Sequence, residues 1–170
     1  ETVLFDTGMG SSTLFGTTAG RLLGGLAAAG IADGGWLPVV LVAGGAGFLG
    51  SHLCDALLAE GAHVVCLDSF RTGRRENLRH LLREPRFDLV EADVTDPLPP
   101  RLGVRHLRMD AVFNLACAAS PPQYQADPEH TMLTNVLGTR NLLRLAEASG
   151  ARFLQASTSE VYGDPESHPQ

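Results

Sequence analysis

VVLVAGGAGFLGSHL, Val39 to Leu53, is the stretch on which the fold turns. Its first five residues, Val39 to Ala43, are apolar and mostly β-branched, the composition of a strand buried on both faces. Gly44, Gly47 and Gly50 then follow the spacing G-x-x-G-x-x-G, one residue longer than the commonest dinucleotide fingerprint. A helical pattern begins at Phe48. A side chain at such a turn would keep a pyrophosphate away from the backbone N–H groups and the helix N-terminus, so the strand–glycine turn–helix order points to a dinucleotide.

Working outward, apolar runs of strand length alternate with helical periodicity. Strands are expected at Val39–Ala43, His63–Asp68, Phe87–Glu91, Ala111–Ala116 and Arg152–Ser157, with helices near Phe48–Glu60, Arg74–Arg83 and Pro128–Ser149. Right-handed crossovers make this an α/β, Rossmann-type doubly wound parallel sheet, expected to be incomplete at the C-terminus. Residues 39–170 form that domain. Residues 1–38 hold nine of the nineteen glycines but only Glu1, Asp6, Arg21 and Asp33 as charged residues, and are expected to be a poorly ordered extension. With Glu1 in place of Met, the chain is expected to be a processed product or a fragment.

With 170 residues, 44% hydrophobic and 19% charged, one packed domain is expected. The net charge of −6 argues against holding nucleic acid by phosphate neutralisation, and the arginine run from Arg71 to Arg79 reads as a solvated face. Cys54, Cys66 and Cys117 have no metal-ligand spacing and read as buried thiols, and no metal is expected. No apolar run approaches the roughly 20 residues of a membrane span. A cytoplasmic location without membrane contact is the expectation.

Asp68 ends the second strand eighteen residues after Gly50, where a carboxylate can accept both hydroxyls of an adenosine ribose. It would also repel the extra phosphate of NADP, although Arg71, Arg74 and Arg75 lie nearby. NAD is therefore the expected cofactor. Asp93-Val94, after the third strand, has the position of an adenine contact or of a structural turn before Pro97.

Three further segments carry a family resemblance. They are Ala119-Ser120-Pro121-Pro122-Gln123-Tyr124, Thr134-Asn135-Val136-Leu137-Gly138-Thr139 with Asn141, and Ser157-Thr158-Ser159-Glu160-Val161-Tyr162-Gly163-Asp164-Pro165. Together with the glycine turn they resemble the extended short-chain dehydrogenase/reductases over about residues 39–170, and within them the UDP-glucuronate decarboxylases. The resemblance implies that NAD oxidises the sugar C4 hydroxyl, that the resulting β-keto acid loses carbon dioxide, and that the held NADH reduces the ketopentose to give UDP-xylose. It assigns Thr158 to the C4 oxygen, and Ser159 and Glu160 to C5 and the leaving carboxylate. Dehydratases of the family carry Asp where Ser159 stands.

By the same resemblance, NAD contacts extend to Phe48, Leu49, Ser69, Thr72, Gly73, Leu115, Ala116, Cys117 and Thr134. Contacts to UDP-glucuronate fall on Ala118, Pro121, Tyr124 and Asn141, and the intact protein is a homodimer. The departures are Ala43 for Thr, Asn114 and Cys117 for His and Ser, and Leu133 for Lys. The family's Tyr-x-x-x-Lys pair and its substrate domain would follow Gln170, so the chain alone is expected to be inactive. Another sugar-nucleotide epimerase or dehydratase, or a non-catalytic NAD-binding fragment, stays open as an alternative.

Overall fold

The computed structural model describes residues 4–6, 37–102, 108–158 and 163. Its elements are β1 (Leu4–Asp6), β2 (Val39–Ala43), α1 (Phe48–Ala59), β3 (His63–Asp68), β4 (Phe87–Glu91), β5 (Ala111–Asn114), α2 (Pro121–Ala126), α3 (Pro128–Leu133), α4 (Thr139–Ser149) and β6 (Arg152–Ser157). The six strands form one sheet in the order β1-β6-β5-β2-β3-β4, and every pairing is parallel. The chain runs outward from β2 through β3 to β4, then returns to the other side for β5 and β6. The order therefore reverses between β2 and β5, and a crevice opens there beyond the carboxyl ends of the strands.

Alternation along the strands divides the core into two layers. Val40, Val42, Val64 and Cys66 face α1, packing with Leu53 and Leu57, while Leu41, Ala43, Val65 and Leu67 face Leu142 and Leu145 of α4. Both faces are covered, which is why these strands read as continuous apolar runs rather than alternating ones. Among the described residues, no helix is long and apolar enough to cross a membrane.

The structure departs from the sequence expectations at five places. Arg74–Arg83 is not an α-helix; Arg75–Leu78 is a 3₁₀ turn followed by further turns, each closed by an N–H bonding three residues back. That tighter winding turns Leu78 and Leu81, three apart, into the core together. The strand expected over Ala111–Ala116 ends at Asn114, whose side-chain oxygen takes the N–H of Ala116 at 3.2 Å. The helix expected over Pro128–Ser149 is interrupted by a π turn at Thr134–Gly138. Pro121–Ala126 forms a helix not anticipated, with prolines at the start where their missing N–H costs nothing. Within the stretch read as an extension, Leu4–Asp6 pairs with Gln155–Ser157 at the edge of the sheet.

Candidate functional site

The turn after β2 is held from three sides. Gly44 donates to the Leu67 carbonyl at 2.8 Å, Gly47 donates to Gly44 at 3.1 Å, and Ala46 donates to Asp68 Oδ2 at 2.8 Å. Gly44 has a φ of +79°, and a Cβ on it would come within 2.7 Å of the Leu115 carbonyl oxygen. A Cβ on Gly50 would meet Gly45 Cα at 2.7 Å and collide with the Gly44 carbonyl. Glycine at these two positions lets β2, the loop after β5 and the first turn of α1 close up. Gly47 caps α1, whose first intrahelical bond runs from Ser51 to Gly47 at 3.0 Å. The preceding N–H groups of Phe48, Leu49 and Gly50 are therefore left for an anion at the helix start.

At the end of β3, Asp68 is buried to 8% exposure, and its Oδ1 accepts the N–H of Phe70 at 2.8 Å. Phe70 sits in the left-handed region at φ +57°, a strained conformation that this bond helps to hold. Burial pushes the Asp68 carboxyl above its ordinary value, the two backbone N–H groups pull against that, and the charge of Asp93 adds to the rise. With two acceptor positions occupied, the carboxylate keeps about two of its four for a ligand, the number that a ribose diol requires. Gly73 lies so close that a Cβ would sit 2.8 Å from Oδ1.

After β4, Asp93 Oδ1 accepts the N–H and the hydroxyl of Thr95 at 2.9 and 2.8 Å, and Oδ2 lies 2.8 Å from His130 Nε2. Burial pushes its carboxyl up, but the Thr95 amide, the His130 ring and the Thr95 hydroxyl outweigh that and leave it below the ordinary value.

These loops enclose a cavity of about 300 Å³ at the reversal point. Gly44, Gly47, Asp68, Ser69, Thr72, Gly73, Asp93, Val94, Leu115, Ala116, Cys117 and Thr134 line it together, and so does Ala118. Phe48, Leu49 and Gly50 form the first turn of α1 rather than the lining, with Phe48 74% exposed. Pro121 and Tyr124 stand on α2 outside the lining. The Asn141 amide is directed to backbone carbonyls after β4. Thr158 follows β6 and is exposed, while Ser159 and Glu160 lie outside the described residues.

Cys54 and Cys66 are buried as expected, and the neighbouring Cys66 thiol, with burial, pushes the Cys54 thiol well up. Cys117 is exposed instead, because it stands on the cavity-lining loop after β5, where Asn135 Nδ2 donates to its sulfur at 3.3 Å.

The opposite wall was not foreseen. Gln123, Ala126, Asp127, His130 and Thr131 from α2 and α3 complete the cavity. Asp127 caps α3 by accepting the His130 N–H at 3.0 Å and also pairs with Arg71 from the loop after β3. The Asp-Pro step at Asp127-Pro128, a capping residue followed by proline at the first helical position, is the sequence signal that marks this wall.

The NAD dependent epimerase/dehydratase family model matches residues 40–170. UDP-glucuronic acid decarboxylase 1 of Arabidopsis thaliana is 52% identical over 131 residues, covering 77% of this chain and 28% of that protein. The chain thus spans less than a third of that relative's length. Among solved structures, the epimerase Mth375 of Methanothermobacter thermautotrophicus aligns with a TM-score of 0.69 and 32% identity, over 79% of this chain and 39% of the other. DesIV, a dTDP-glucose 4,6-dehydratase of Streptomyces venezuelae with NAD bound, aligns with a TM-score of 0.66 and 35% identity, over 78% and 43%.

Proposed function

Because the chain belongs to the NAD dependent epimerase/dehydratase family, we propose that it forms the NAD-holding part of a UDP-glucuronate decarboxylase. The observation that carries the cofactor half of this reading is Asp68, a buried carboxylate with two backbone bonds made and two acceptor positions left, on the wall of a cavity at the sheet's reversal point. The glycine turn and the start of α1 receive the pyrophosphate, Asp68 the adenosine ribose, and Asp93 with Val94 the adenine. Of the three arginines near Asp68, Arg71 pairs with Asp127, and Arg75 pairs with Glu91 while stacking over the Phe70 ring at 4.2 Å. Two cations that would attract the 2′-phosphate of NADP are so engaged with carboxylates, which favours NAD.

The substrate half rests on the decarboxylase relative and on the Thr158-Ser159-Glu160 segment. Held by these residues, NAD would supply a reversible hydride acceptor for the sugar C4. Thr158 then holds the C4 oxygen, and Ser159 with Glu160 manages the proton delivered at C5. The exposed side chains of Met132, Val136 and Leu143 on the helical stretch 128–149 support pairing of two copies.

The test is mass spectrometry of the native gene product carrying this chain, incubated with UDP-glucuronate and NAD. A UDP-pentose is expected. A UDP-hexuronate of altered stereochemistry would place the protein among the epimerases. Unchanged UDP-glucuronate from folded, NAD-binding protein would remove the decarboxylase reading for that substrate.

A further inference from the structure

The loop that carries Asp93 is gripped from one side by the helical stretch that contains the π turn. Asn141 Nδ2 donates to the Val94 carbonyl at 2.9 Å and to the Asp96 carbonyl at 3.2 Å, with that of Thr95 at 3.5 Å. One amide thus gathers three successive carbonyls. Three residues earlier, Gly138 lies directly against Val94, and a Cβ there would sit 2.5 Å from Val94 Cγ2. Residues three apart share a helix face, so Gly138 and Asn141 meet the loop together. The π turn at Thr134–Gly138, whose last residue is Gly138, inserts one extra residue between His130 and this face. It thereby sets their register relative to His130, which reaches the same loop at Asp93 Oδ2.

The grip matters because of what Asp93 has left to offer. A carboxylate accepts about four hydrogen bonds. Thr95 takes two on Oδ1 and His130 takes one on Oδ2. A single acceptor position remains, on a residue that lines the cavity next to the apolar Val94. A site with one remaining lone pair depends on where its backbone stands, since the side chain's other contacts leave it no freedom to turn.

We infer that Asn141 is a positioning residue for adenine: by holding the carbonyls of residues 94–96 it sets where the last free acceptor of Asp93 and the side chain of Val94 meet the base. The inference rests on the reading of Asp93 as the adenine contact. It gives Asn141 a role in cofactor discrimination in place of a sugar contact, its N–H groups being committed to the loop.

The test compares binding of NAD and of nicotinamide hypoxanthine dinucleotide, in which the exocyclic amino group is replaced by a carbonyl oxygen, to the native gene product carrying this chain by calorimetric titration. The parent chain is expected to prefer NAD by about tenfold or more, the scale of one hydrogen bond to a charged acceptor. Asn141→Ala is expected to reduce the preference to within about threefold, through loss of NAD affinity rather than gain for the analogue. Asn141→Ser, which keeps one donor, should fall between them. Gly138→Ala, which pushes the Val94 side chain from the same helix face, should lower the preference as well.

Melting curves separate unfolded variants, and if Asn141→Ala does not fold, the serine and Gly138 variants decide. If the parent discriminates and the folded variants lose affinity equally for both dinucleotides, Asn141 is merely structural and the inference falls. If the parent itself binds both equally, the assignment of Asp93 to adenine fails and takes the inference with it.

Discussion

Oδ2 of Asp68 accepts the backbone N–H of Ala46 at 2.8 Å, joining the end of β3 to the middle of the glycine turn after β2. The same side chain therefore shapes the phosphate turn and offers its remaining acceptors to the ribose. Asp68→Ala should expose the coupling. It leaves the buried Ala46 N–H without its acceptor, at about 1–3 kcal/mol, and the part-buried Phe70 N–H as well, at less. Urea denaturation should register the loss, and titration should show NAD affinity falling by about a hundredfold, the scale of two hydrogen bonds to a charged group. A variant that loses stability but binds NAD within a few-fold of the parent would show that Asp68 is a turn residue alone.

Asp68 and Asp93, two of the three carboxylates lining the cavity, are shifted in opposite directions, and their pH linkages have opposite signs. Asp93 lies below its ordinary value when folded, so its contribution to stability is present above that value and is lost as pH falls through the folded pKa. Asp68 lies above its ordinary value, so the folded state keeps the proton longer than the unfolded chain. Its contribution is full below the ordinary value, declines as pH rises to the folded pKa, and is constant beyond. Burial is the main cause of the Asp68 rise and the Asp93 charge a lesser one. In Asp93→Asn, carbon-13 NMR of the Asp68 carboxyl should therefore show a titration moved modestly downward. A midpoint unchanged or moved upward would mean that the two groups do not sense each other.

The sheet was legible where burial on both faces leaves an unbroken apolar run. Val39–Ala43 and His63–Asp68 start and stop at the residues read from the sequence. The cofactor side of the cavity was legible for a different reason: turn glycines and strand-end carboxylates have few other uses at those positions. What could not be read came from contacts distant in sequence. The π turn ends where Gly138 lies against Val94, 44 residues earlier, and nothing in the local Thr-Asn-Val-Leu-Gly pattern marks it. His130 carries no local signal in the sequence and reaches Asp93 only through the fold. The substrate residues were read chiefly from resemblance, and of these only Ala118 comes to the described cavity wall.

Gly50 and Gly61 separate steric need from conformational need. A Cβ on Gly50 meets backbone atoms of the phosphate turn, which have no flexible end to give way. Gly50→Ala is expected to destabilise the chain by about 3 kcal/mol or more and to abolish NAD binding. Gly61 has φ +91° but open space around it, so Gly61→Ala should cost about 1 kcal/mol and leave NAD affinity unchanged. Chemical denaturation with parallel titration checks both. Equal stability losses in the two variants would contradict the steric account of the turn.

Asn114 ends β5 at 1% exposure with its hydrogen-bonding groups engaged: Nδ2 donates to Gln155 Oε1 at 2.8 Å and to Thr139 Oγ1 at 3.1 Å, and Oδ1 accepts from Ala116. It links β5 to β6, to α4 and to the cavity-lining loop at once. A buried polar network of this kind is costly to break on one side, because the partners left behind remain desolvated. Asn114→Ala is expected to cost about 2–3 kcal/mol and to weaken NAD binding through the Leu115–Cys117 loop. Gln155→Ala should cost less, since the Thr139 hydroxyl remains near Asn114, and the double variant should show a coupling of about 1 kcal/mol or more. Strictly additive losses in that cycle would mean that Asn114 and Gln155 act independently, and that the end of β5 is held by the backbone ladder alone.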